Sequence, residues 1–335
     1  VAFFLVAHIY ERMLPNNHLP SVAPDNSVQM AFTEAAADFN VEKIRCSYEY
    51  NGFDRRPSAA HSIIRTDTGA ELGYCSDTYE VITNRQLLRL AIQAVRQGAE
   101  LEQFHVFKGG KRLAFSAKLP ESEVEVVPGD RVYTRFVGIL GHDKLTAGGG
   151  FLCNHRVFCD NQFRSIYANS MNYRIPHQRG ANDRWEQMIE SLDLAKHRFN
   201  IESDQSLYKA AAAIPFTKDD FDEVISEVYK SDLFHADGSP KLITVEGTET
   251  LKREMNVGDL RQYDQLIHAY HNGLGIKNMP SIQGTAWAAW NALTEVTASA
   301  ANSIRPFERF AFAQGRDVST RIADCMKAVT LRLSA

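Results

Sequence analysis

Between Lys43 and Tyr50 the chain alternates cleanly, with Ile44, Cys46, Tyr48 and Tyr50 on one side and Lys43, Arg45, Ser47 and Glu49 on the other, the period of a half-buried strand. His61 to Thr66 and Glu71 to Cys75, separated by Asp67-Thr68-Gly69, predict a hairpin. Thr83-Asn84-Arg85-Gln86 is a capping box for a helix over 84–97, and Gly98 ends it. Residues 103–108 and 111–118 read as a hairpin joined by a two-residue turn at Gly109-Gly110, and 123–127 with 131–140 as another around Pro128-Gly129-Asp130. Residues 151–158 add a further strand, with Gly148-Gly149-Gly150 as a flexible lead into it.

Beyond Ile175 the period changes to about 3.6. Trp185, Met188, Ile189 and Leu192 form one apolar stripe, and Phe221, Val224, Ile225 and Val228 form another behind the cap Thr217. Helices are expected over 258–271, 285–299 and 318–333, with Gly238-Ser239-Pro240 and Gly273-Leu274-Gly275 as breaks. The fold class is therefore α+β: a mainly antiparallel sheet with one long helix, followed by a largely helical C-terminal half. Residues 1–40 form an N-terminal segment with a linker from Pro15 to Asn26. Residues 41–180 form the sheet domain, and 181–335 a helical region packed on it or standing as a second domain.

A length of 335 residues with 44% hydrophobic and 23% charged content suits an ordinary globular protein. A net charge of −4 argues against coating nucleic acid by bulk positive charge, so the distribution matters more than the sum. From Lys144 to Arg179 the basic residues Lys144, Arg156, Arg164, Arg174 and Arg179 face a single acid, Asp160. Five cysteines make no disulfide framework, and the odd count fits a reducing cytoplasm. The apolar opening run Val1 to Tyr10 is too short to span a bilayer, which needs about 20 such residues. It reads as a buried segment, and no membrane partner is expected.

Several segments together resemble the phage/plasmid-like protein family, a domain-of-unknown-function family of phages, prophages and plasmids. The matching pieces are Tyr79 to Asn84, Gly109 to Pro120, His142-Asp143, Arg156 to Asn161, Arg174 to His177 and Thr285 to Glu295, in the family's order. Asp160 stands where the family usually has a glutamine, and Val296-Thr297 where a histidine follows the Thr-Glu pair. The resemblance implies a mobile-element origin and a cytoplasmic protein of the bacterial host cell acting on or near element DNA; it implies no reaction.

The preferred chemistry is phosphate binding. Arg131, Tyr133 and Arg135 share a strand face, Lys108, Lys111 and Arg112 crown the Gly109-Gly110 hairpin, and Arg156, Arg164, Arg174 and Arg179 follow. Cations beside an aromatic ring suit single-stranded nucleic acid, the cations following phosphates and Tyr133 stacking on a base. On this reading the protein binds or anneals single-stranded DNA in replication or recombination, as a homo-oligomer and with no cofactor.

One alternative is an enzyme, thiol- or metal-dependent, with Cys159 as nucleophile, His177 as base, Asn161 as orienter and His142 nearby. Against it, such thiols usually sit at a helix N-terminus, and here Cys159 ends an apparent strand. Cys153, His155 and Cys159 share that strand's face but are spread too far along it for one metal ion, at about 3.3 Å per residue. The other alternative is a structural or host-interacting phage protein, whose polar clusters tie strand ends to loops. The triple glycine lacks the following Lys-Ser/Thr of a P-loop, and Trp287 and Trp290 read as core.

Overall fold

The computed structural model describes residues 24–50, 52–156, 161–164, 172–229, 257–299 and 316–333, at some positions, 161–164 among them, the backbone alone. In chain order these are α1 (Pro24–Glu34), β1 (Val41–Tyr50), β2 (Phe53–Arg65), β3 (Glu71–Cys75), α2 (Asn84–Arg96), β4 (Glu100–Phe107), β5 (Arg112–Lys118), β6 (Val124–Val127), β7 (Asp130–Gly141), β8 (Gly148–Arg156), β9 (Asn161–Arg164) and β10 (Asn172–Ile175). Helices follow: α3 (Ala181–Ser191), α4 (Arg198–Ala213), α5 (Lys218–Val228), α6 (Val257–Asn272), α7 (Leu274–Lys277), α8 (Ala286–Ser299) and α9 (Arg316–Leu333). The α+β reading holds, with antiparallel sheets first and helices after.

A three-stranded sheet runs β1-β2-β3, and a seven-stranded sheet runs β10-β8-β7-β5-β4, with β6 on β7 and β9 on β8. One face of the larger sheet presents Leu113, Phe115, Ala117, Phe136, Leu140 and Leu152 to a core shared with Leu87, Leu90, Ala91 and Ala94 of α2 and Phe32 of α1. The Thr83 box works as expected: Gln86 Oε1 accepts from the Thr83 backbone N–H at 2.8 Å. Trp185 and Met188 of α3 belong to this same core, so α3 packs with the sheet although it opens the helical stretch. Helices α4 to α9 gather a second core around Trp287, Trp290 and Phe221, which Val126 and Val132 of the sheet also enter.

Four expectations need correction. The proposed linker runs into α1, which begins at Pro24, a residue whose fixed φ suits a first helical turn. The β4–β5 connection is longer than two residues: Phe107 and Arg112 are the last cross-strand pair, and Lys108 itself takes φ 50°. Gly148 to Gly150 lie inside β8 rather than before it. They are glycine because neighbours approach closely: a Cβ on Gly148 would sit 2.5 Å from the Trp185 ring, one on Gly150 2.6 Å from the Phe136 ring, and one on Gly149 (φ 152°) on the Tyr173 carbonyl. Finally, the apolar side of β1 is not half-buried, since Ile44 is 48% and Tyr48 52% exposed. The Val1 to Tyr10 run and the Gly238 break lie outside the described residues. No described helix is long and apolar enough to cross a membrane.

Candidate nucleic-acid interface

The register of the larger sheet brings three loops to one end. Arg112 pairs with Gly141, Phe107 with Arg112, and Ile175 with Gly148, so the β4–β5 loop, the β7–β8 loop and the segment after β10 leave the sheet side by side. At about 4.8 Å per strand, the five strands concerned span roughly 19 Å. Lys108, Lys144, Arg174 and Arg179 are exposed along this edge and Lys111 is partly so. Arg65 joins from β2, its guanidinium 4.0 Å above the Phe39 ring and donating to the Gly109 carbonyl at 3.3 Å.

Several acids at this end are already engaged. Asp143 accepts from Arg112 at 2.6 Å and Asp67 from Arg65 at 2.7 Å. Glu80 accepts the backbone N–H groups of Gly180 (2.8 Å) and Asn182 (3.3 Å) at the start of α3, and these bonds hold its carboxyl below the usual range. Asp77 stands largely exposed, 3.6 Å from His61.

Beneath the edge lies a buried polar support. Asn84 donates to the carbonyls of Ala37 (2.9 Å) and Phe39 (3.0 Å), which turns its carboxamide oxygen toward His142 Nε2 at 2.7 Å. His142 Nε2 therefore carries the proton. The His142 backbone N–H donates to Lys111 O at 2.8 Å, tying the β7–β8 loop to the β4–β5 loop. His177 Nδ1 donates to Glu80 O at 3.0 Å while its ring stacks on Tyr79 at 4.7 Å, and Tyr79 in turn donates to Gly141 O at 3.4 Å. Burial, reinforced by the neighbouring His177, lowers His142 to about 3, and burial also lowers His177. The two histidines thus share one neighbourhood and are neutral near pH 7. Their rings are 0% and 7% exposed, which suits holding loops in place and leaves no approach for a substrate to His142.

Cys159 lies outside the described residues, and Asn161 is placed only by its backbone pairing with Arg156. Among the described residues no group of three or more His, Cys, Asp or Glu is arranged to hold a metal ion.

The remaining phosphate candidates lie elsewhere, and those whose side chains are described are in paired settings. Arg131 is at the opposite end of β7 and pairs with Glu123 at 3.0 Å. Arg135 pairs with Glu102 at 2.6 Å, and its other nitrogens meet His155 Nδ1 (2.7 Å) and the Tyr133 hydroxyl (2.8 Å). Tyr133 donates to Glu102 at 2.8 Å, is 7% exposed, and has Lys118 Nζ 4.7 Å from its ring centroid, so it presents no open face. Arg156 is fully buried against Asp130 and cannot meet a surface phosphate. Arg164 is placed by its backbone alone. Strand parity correctly put Arg131, Tyr133 and Arg135 on one face. It carried no information about Glu102, which sits at a bulge of β4. Lys144 and Arg65 went unrecognised as site residues; the position of Lys144 between His142-Asp143 and the glycines was the available signal.

A family model described as "Domain of unknown function (DUF932)" matches residues 71–324. No curated protein and no solved structure matches the chain.

Proposed function

The chain belongs to the DUF932 family, and on that premise we propose that it binds nucleic acid along the basic end of its larger sheet. The observation that carries the reading is the convergence of Lys108, Lys111, Lys144, Arg174 and Arg179 on one edge where Asp143, Asp67 and Glu80 are already engaged. A row of exposed cations suits a phosphate backbone, while the overall charge of −4 disfavours indiscriminate association. The resemblance to proteins of phages and plasmids makes the DNA of a mobile element the natural ligand. No cofactor enters this function.

The test is titration of labelled single- and double-stranded DNA at low and physiological salt. Wild type is expected to bind and to weaken as salt rises. A Lys108→Glu/Lys144→Glu/Arg179→Glu variant is expected to lose binding, and Arg131→Ala/Arg135→Ala to keep most of it. Absence of wild-type binding at low salt overturns the proposal.

A further inference from the structure

Helices α4 and α9 lie against each other and leave a groove of about 460 Å³ between them. Phe199, Ser203, Ser206, Leu207 and Ala210, one stripe of α4, line it opposite Leu331 of α9. Phe199 is 75% exposed and Leu331 51%, so large apolar side chains stand in water on both walls. The polar groups here already have partners. Ser203 and Ser206 turn their hydroxyls back to the carbonyls of Phe199 and Glu202, each at 2.9 Å, and Glu202, which also lines the groove, pairs with Arg198 at 3.2 Å. An apolar occupant therefore breaks no hydrogen bond on entering.

The described chain begins close to one end of this groove. Asp25, in the first turn of α1, accepts from Arg96 Nε at the end of α2 at 3.1 Å. The next residue, Gln97, donates to Leu192 O and accepts the Leu194 N–H at 2.7 Å. Leu194 is five residues before Phe199, the first groove residue of α4. Residues 11–23 can extend about 45 Å, more than that path requires. Residues 300–315, by contrast, enter α9 at Arg316, about 22 Å along the helix from Leu331.

We propose that the groove holds the apolar run Val1 to Tyr10 of the same chain, antiparallel to α4, with Tyr10 toward Phe199 and Val1 toward Ala210. The run precedes α1 and so enters from the Phe199 end, which sets its direction. It is apolar at every position except His8. Its length fits as well: Phe199 to Ala210 spans about 16 Å of helix, and the run coiled as a helix would cover about 15 Å. Seated there, it removes from water its own side chains together with those of Phe199 and Leu331, and it fastens the chain ahead of α1 to the helical half.

The experiment uses the full chain with a benzophenone amino acid in place of Glu202 or, in a second protein, of Ser206, both exposed residues. After irradiation, mass spectrometry of the peptides should find residues 1–12 joined to the α4 peptide within one chain. Joining to another segment or to a second copy, or no joining in either protein, overturns the proposal. Amide hydrogen exchange supplies an independent readout. Residues 1–10 should exchange about tenfold or more slower than an unstructured chain, and Phe199→Asp/Leu331→Asp should remove that protection while β5 and β7 keep theirs. Equal exchange of residues 1–10 in wild type and variant overturns the proposal too.

Discussion

Arg156 and Asp130 form a fully buried, two-pronged ion pair, Nε to Oδ1 at 2.6 Å and Nη2 to Oδ2 at 2.7 Å. Asp130 Oδ2 also accepts from Trp287 Nε1 at 2.8 Å, so the pair joins the β7–β8 ladder to α8. Gly275 leaves room for it, since a Cβ there would come 2.6 Å from Arg156 Nη1.

Removing one partner strands a buried charge, which costs about 3–5 kcal/mol, while replacing both with apolar groups can be neutral. Arg156→Ala should therefore lower unfolding free energy by about that amount in urea denaturation, and Arg156→Met/Asp130→Leu by less. An Arg156→Ala protein as stable as wild type would show that the pair does not hold the sheet to the helices.

Gly149 lies at φ 152° with the Tyr173 carbonyl where a Cβ would be. Gly149→Ala should lose more than about 1 kcal/mol, because both backbone strain and the β8–β10 approach are disturbed. Gly69→Ala is the comparison: it shares a positive φ but meets nothing within 4 Å, and should lose less in the same denaturation series.

Acid should destabilise the fold through its buried histidines. Burial lowers His142 and His155 to about 3 and His105 to about 4, against an ordinary value of 6.5. Below pH 6.5 the unfolded chain takes up protons that the folded chain refuses. This stabilisation is therefore complete above pH 6.5 and lost as the pH falls toward the folded values, at roughly 1.4 kcal/mol per pH unit per histidine. Unfolding free energy measured from pH 7.5 to pH 4 should fall accordingly, and His142→Gln should show a shallower decline whatever its starting stability.

Salt dependence separates edge cations from paired ones. If Lys144 contacts a phosphate, Lys144→Ala should reduce the slope of log affinity against log salt by roughly 0.7–1. Arg131, held by Glu123 at the far end of β7, should leave the slope unchanged when replaced by alanine. Equal slopes for the two variants would place the ligand elsewhere.

Alternation and helical period were enough to locate most described strands and helices, the four-residue β9 and β10 excepted, because those patterns express local geometry. The Thr83 and Thr217 caps were equally legible, each resting on contacts within a single turn. Helix α4 was missed: its stripe Ile201, Leu207, Tyr208 and Ala211 is interrupted by Asp204, buried and bonded to Asn154 of β8 at 3.2 Å. The charges were the least legible part. Arg135 and Arg156 looked like Lys144 and Arg174 in sequence, and only the fold brought Glu102 and Asp130 against the first two while leaving the second two exposed. Likewise the sequence determined that Ile44 and Tyr48 share a side, but the docking of β3 on the β7–β8 loop decided that this side faces outward. Periodicity is set by neighbours a few residues apart, whereas burial and charge pairing depend on partners brought together across long stretches of chain.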